Sequence, residues 1–153
     1  MSVDERFEVI GRYLGIDYGT RRIGLAQSDP RGVVVSPAGT LPATGSPRHD
    51  AEAVVHWAAE HEIAAVVIGL PLNMDGTDSD QTRLTRRFVE DLRQRTTLPV
   101  ATWDERLSSF QADTLLTEAG VKPRAQRELR DAFAAHVILE SFLAARRGGH
   151  NPA

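Results

Sequence analysis

Tyr13-Leu14-Gly15-Ile16-Asp17-Tyr18-Gly19, followed by Thr20-Arg21-Arg22-Ile23-Gly24-Leu25-Ala26, is the stretch on which the fold turns. Two apolar runs flank Gly19 and read as a β-hairpin, which leaves Asp17 at the end of the first strand, near the core and beside a tight turn. An unpaired carboxylate taken out of water costs on the order of several kcal/mol, so such a residue persists where it is paired, protonated or bound to a metal. Asp17 is therefore the first candidate for chemistry. The bland alternative is an Asx turn to the backbone near Gly19.

Outward from the hairpin, Val33-Val34-Val35-Ser36 opens a third strand that Pro37 and Gly39 mark as an edge. Ser46-Pro47 is an N-cap and first-turn proline, and Val54, Val55 and Ala58 follow at helical spacing. Ala64-Ala65-Val66-Val67-Ile68-Gly69-Leu70 lacks alternation, as expected of a central strand covered on both faces. A loop with an Asp75-Gly76 turn signal leads to Ser79 or Asp80, either of which can cap a helix whose buried stripe is Leu84, Phe88, Val89 and Leu92. Pro99-Val100-Ala101-Thr102-Trp103 is a short last strand running into Asp104-Glu105-Arg106. Ser108 or Ser109 then caps a helix that stops at Gly120. Residues 121–130 form a basic connection, and a final helix runs from about Asp131 to Ala145. Three antiparallel strands followed by parallel α/β crossovers imply an α/β fold, a mixed sheet with helices on both faces.

The chain has 153 residues, 41% of them hydrophobic and 25% charged, which fits one domain over residues 1–153, with tails at 1–9 and 146–153. No secretory or transit signal and no bilayer-length apolar run is visible, so a cytoplasmic protein without membrane attachment is expected. Without cysteines, disulfides, thiolate nucleophiles and Cys-ligated zinc are excluded, and any metal must be held by oxygen or imidazole. A net charge of -3 argues against a generic polyanion binder. Yet the basic residues are almost all Arg and cluster, which can make a local phosphate track or simply solvated helix faces.

Three acids can meet. Asp17 ends the first strand, Glu105 ends the last, and sites in open α/β sheets gather beyond the carboxyl ends of strands. Asp131 shares a helical stripe with Ala134, Ala135, Ile138, Phe142 and Ala145. Gathered carboxylates repel one another, a conflict that Mg²⁺ or Mn²⁺ resolves, and such ions activate water for phosphodiester cleavage. Each acid also has an ordinary reading. Glu105 can pair with an arginine, and strand alternation places Asp104 and Glu105 on opposite faces, so one of the two faces the site. Asp131 can be a helix N-terminal acid favoured by the macrodipole.

Four motifs in this order resemble the YqgF/RuvX family, whose fold is ribonuclease H-like and related to the Holliday-junction resolvase RuvC. They are Gly15-Ile16-Asp17-Tyr18-Gly19-Thr20-Arg21-Arg22-Ile23-Gly24, Val67-Ile68-Gly69-Leu70-Pro71-Leu72-Asn73-Met74-Asp75-Gly76-Thr77, Asp104-Glu105-Arg106-Leu107-Ser108-Ser109, and Asp131-Ala132-Phe133-Ala134-Ala135 with Ile138-Leu139-Glu140. The resemblance implies a metal-dependent nuclease maturing the 5′ end of pre-16S ribosomal RNA, with Asp17, Glu105 and Asp131 as catalytic and metal-binding acids. No position matches the fourth acid of the RuvC relatives, and His136 reads as a packing residue. Arg22, Arg106 and Asn73 are substrate-binding candidates, with salt bridges to the acids as the alternative for the arginines. A monomer or weak homodimer acting on nucleic acid is expected. Competing readings are a resolvase of branched DNA, which should be dimeric, a non-catalytic RNA-binding assembly factor, and an actin-like ATPase. The last needs two such domains, and this length supplies one.

Overall fold

The hairpin forms as its pattern requires, β1 (Arg12–Tyr18) pairing antiparallel with β2 (Arg22–Ser28) in a register that sets Asp17 opposite Gly24. Gly19 closes the turn, its N–H donating to the Arg22 carbonyl at 3.0 Å. The structure, a computed structural model, describes residues 10–107 and 123–147. After the hairpin come β3 (Val35–Pro42), α1 (Pro47–Glu60), β4 (Ile63–Leu70), α2 (Asp80–Arg95), β5 (Val100–Asp104), a 3-10 turn over Glu105–Leu107, and α3 (Pro123–Arg147). The helix expected before Gly120 lies outside the described residues, as do residues 1–9 and 148–153 of the expected tails.

The sheet order is β3-β2-β1-β4-β5. β2 meets β1 and β3 antiparallel, whereas β1–β4 and β4–β5 are parallel. β3 is an edge, where Pro37 and Gly39 are tolerated, and its register slips between Leu25 and Ala26 of β2. Strand alternation divides the core in two. Leu14, Ile16, Ile23, Val66 and Ile68 pack with Val54, Phe88 and Leu92 of α1 and α2. On the other face Tyr13, Val67, Ala101 and Trp103 pack with Ile138, Leu139 and Phe142 of α3. None of the described helices is long and apolar enough to cross a membrane.

Both expected caps form on the first two helices. Ser46 caps α1, and Ser79, rather than Asp80, caps α2 in a reciprocal box with Thr82. The last helix departs from expectation. It begins at Pro123 and continues through Arg147, so Asp131 lies well inside it and is no N-terminal helix acid. The sequence of its first turns reads as a basic connection because their charge hides a run of good helix formers, Ala125-Gln126-Arg127-Glu128-Leu129-Arg130, behind a proline suited to the first turn. At the other end, Arg146 is helical and its guanidinium bonds the Tyr13 hydroxyl, so the expected tail starts too early.

Candidate active site

Alternation along β1 puts Tyr13, Gly15 and Asp17 on the α3 face, and the same alternation continues through Ala101 and Trp103 of β5 to Glu105. Asp17 and Glu105 therefore meet at the carboxyl ends of parallel strands, and their side chains hydrogen-bond. Asp104 goes to the opposite side, where Arg106 binds its carboxylate at 2.6 Å. Glu105 is the member of the pair that enters the site.

Glycines set the depth of the arrangement. A Cβ on Gly69 would lie 2.9 Å from Glu105 Cγ and 2.4 Å from Ile138 Cδ1, and one on Gly24 would lie 2.0 Å from the Asp131 carbonyl oxygen. Gly15 gives Leu139 and Ala135 the same room, with a Cβ there 2.7 Å from Leu139 Cβ and 2.9 Å from the Ala135 carbonyl oxygen. The three glycines form a bare track across β2, β1 and β4 on which α3 lies flush, bringing Asp131 beside Asp17. Glycine within a strand signals such close approach, and the sequence carries that signal at all three positions.

The neighbouring rim is tied down from the far face. Gln81 Nε2 of α2 donates to the Tyr18 carbonyl at 2.9 Å, and Thr82 Oγ1 donates to the Pro71 carbonyl at 2.6 Å, so one helix start holds the ends of β1 and β4. Tyr18 stacks on Phe88 with ring centroids 4.2 Å apart, and its hydroxyl donates to Asp50 at 2.6 Å. Asp50 is fully buried and also accepts from the Thr44 N–H and hydroxyl, both at 2.9 Å. Its oxygens are satisfied inside the core, as burial demands.

Burial pushes the Asp17 carboxyl well above the usual carboxylate range, and repulsion from Glu105, the hydrogen bond to it and repulsion from Asp131 push further. Burial also raises Glu105, helped by Asp104 and opposed by the hydrogen bond from Asp17. Without a cation, both carboxyls therefore resist ionisation, Asp17 the more strongly. Two crowded carboxyls are a hard, oxygen-only donor pair, and this suits a hard divalent cation, whose charge would offset their repulsion. Asp131 is turned elsewhere, its Oδ2 accepting from Arg22 Nε at 2.8 Å. Accordingly, among the described residues no trio of His, Asp or Glu stands ready to hold an ion.

Arg22 thus stands among the acids. Arg106 and Asn73 stand on the adjoining rim. Arg106 spans Asp104 and the Met74 carbonyl, 3.1 Å away, while the Asn73 amide donates to Thr77 at 3.0 Å within the exposed Asp75-Gly76 loop. His136 Nε2 pairs with Glu140 at 2.7 Å and its Nδ1 is buried without a partner.

Comparison with known proteins places the chain in a family. The family RuvX, described as Holliday junction resolvase, matches residues 11–145. A protein of Nitratidesulfovibrio vulgaris named "Putative pre-16S rRNA nuclease" is 46% identical over 93% of this chain and 99% of its own length. One of the same name from Myxococcus xanthus is 41% identical over 89% of each chain. The structure of Thermus thermophilus RuvC in complex with a Holliday junction substrate superposes with a TM-score of 0.54 at 18% identity, covering 94% of this chain and 99% of that one. At that identity the likeness is one of fold, the mixed ribonuclease H-like sheet.

Proposed function

The chain belongs to the RuvX family, and on that premise we propose that it is a divalent-metal-dependent nuclease of the cytoplasm, cutting phosphodiester bonds to mature the 5′ end of pre-16S ribosomal RNA. The observation behind this reading is the meeting of Asp17 and Glu105 in a partly buried, hydrogen-bonded pair, with Asp131 close enough to repel Asp17. Such a pair stabilises nothing by itself, and its cost is understandable where cation binding recovers it.

Asp17 and Glu105 would offer oxygen ligands, and Asp131 would supply a third on turning from Arg22. Mg²⁺ or Mn²⁺ held there would supply an activated water and stabilisation of the leaving oxygen. The Gly69 seat fixes Glu105 against β4, so the carboxylate reaches the site without a flexible search. Arg22 lies within reach of the same face, and Arg106 and Asn73 shape the rim beside which the nucleic-acid strand would run.

A cleavage assay of ribosomal RNA precursor and a four-way DNA junction, with and without Mn²⁺, tests this directly. Asp17→Asn should remove cation-dependent cleavage and keep the fold, and undiminished cutting by that variant would end the proposal. The family's description favours one second reading, resolution of branched DNA. Symmetric cutting of two strands calls for a two-fold dimer, whereas the ribosomal RNA reading works with a monomer or weak homodimer. Preference for the junction together with dimeric sedimentation would select the second.

A further inference from the structure

Arg22 is the first residue of β2 and shares its face with Gly24, on which the backbone of Asp131 rests. The Asp131 side chain reaches along β2 to Arg22 Nε at 2.8 Å, with the arginine side chain 42% and the aspartate 23% exposed. Across the hairpin, Asp17 lies opposite Gly24 and feels the charge of Asp131. Asp131 thus stands between the Arg22 guanidinium on one side and the Asp17–Glu105 pair on the other. One carboxylate cannot fully serve both.

We propose that Arg22 is an exchangeable counter-ion: in the cation-free protein it neutralises Asp131, and on loading it yields Asp131 to the divalent cation and turns its guanidinium to a phosphate of the nucleic acid. The inference rests on the nuclease reading and deepens it by coupling cation and substrate. A planar guanidinium suits both partners, since it binds carboxylate and phosphate alike by charge-assisted hydrogen bonds. Its partial exposure makes the exchange inexpensive, unlike the rupture of a buried pair. Coupling follows by reciprocity. Whatever draws Arg22 from Asp131 tightens cation binding, so nucleic acid and cation raise each other's affinity.

Calorimetric titration of Mn²⁺ into the full chain, with and without a non-cleavable phosphorothioate oligonucleotide, reads this out without turnover. Arg22→Gln should bind Mn²⁺ about five-fold tighter than the parent when nucleic acid is absent, the change a partly exposed ion pair allows. It should also bind the oligonucleotide more weakly and lose most of the mutual enhancement. In an Asp131→Asn background, Arg22→Gln should no longer tighten Mn²⁺ binding. Arg22→Lys, which keeps the charge without the fork, should bind Mn²⁺ between parent and Arg22→Gln. Unchanged or weaker Mn²⁺ binding by a folded Arg22→Gln overturns the exchange while leaving the nuclease reading intact, provided Asp17→Asn still weakens the ion. If Asp17→Asn and Asp131→Asn leave Mn²⁺ binding untouched, the metal site itself is wrong and the exchange falls with it.

Discussion

Asp17 imposes a thermodynamic cost that its replacement would remove. Its carboxyl and that of Glu105 hold protons more tightly in the folded protein than in the unfolded chain. Between the ordinary carboxyl range, about pH 4, and the raised values, the native state therefore binds more protons, and stability falls as pH rises through that window. Below it both states are protonated and the pair's full contribution is present. Asp17→Asn, cation-free, should melt a few degrees above the parent at neutral pH, the gain shrinking toward pH 4; a variant that melts lower at neutral pH contradicts this. Gly24 makes the opposite case. A methyl group placed 2.0 Å from a backbone oxygen cannot be absorbed by a side-chain rotation, so Gly24→Ala should lose about 1–3 kcal/mol in urea unfolding and most of its cleavage. Parent-like stability in that variant would mean that α3 does not sit where its glycine track places it.

Among the elements, the ties between β1, α1 and α2 hold the site from behind. Tyr18 ends β1, stacks on a residue of α2 and donates a hydrogen bond to a buried acid in the first turn of α1. Tyr18→Phe keeps the stack and deprives Asp50 of one of its donors, an expected loss of about 1–3 kcal/mol in denaturant titration, with Mn²⁺ affinity little altered. A loss under 0.5 kcal/mol, on the order of a surface substitution, would show the bond to be incidental. The longest helix carries a different lesson. Its core stripe, Ala135, Ile138 and Phe142, is plain in the sequence and fully buried in the fold, but its start is not, because Arg124, Arg127 and Arg130 resemble a solvated connection until the helix is seen. Periodicity reports the face that is buried and says little about how far an exposed turn extends beyond it.

As a whole, the molecule joins sites that lie far apart in the chain, so a ligand at the acids should stabilise the entire fold. Millimolar Mn²⁺ is expected to raise the melting temperature of the parent above that in chelator, by roughly 2–4 °C per kcal/mol of binding energy, and to leave Asp17→Asn unmoved. An equal rise in both proteins would place the ion elsewhere. By itself the sequence determined the hairpin, the buried β4, the order of strands and helices and the acids available for chemistry, because alternation, helical spacing and turn residues act between near neighbours. Only the tertiary structure decided that Glu105 rather than Asp104 faces Asp17, that Asp131 sits mid-helix on Gly24, and that Arg22 engages it. Those outcomes depend on how closely a helix lies on a sheet and on contacts between residues such as 22 and 131, and no local pattern encodes a distance of that kind.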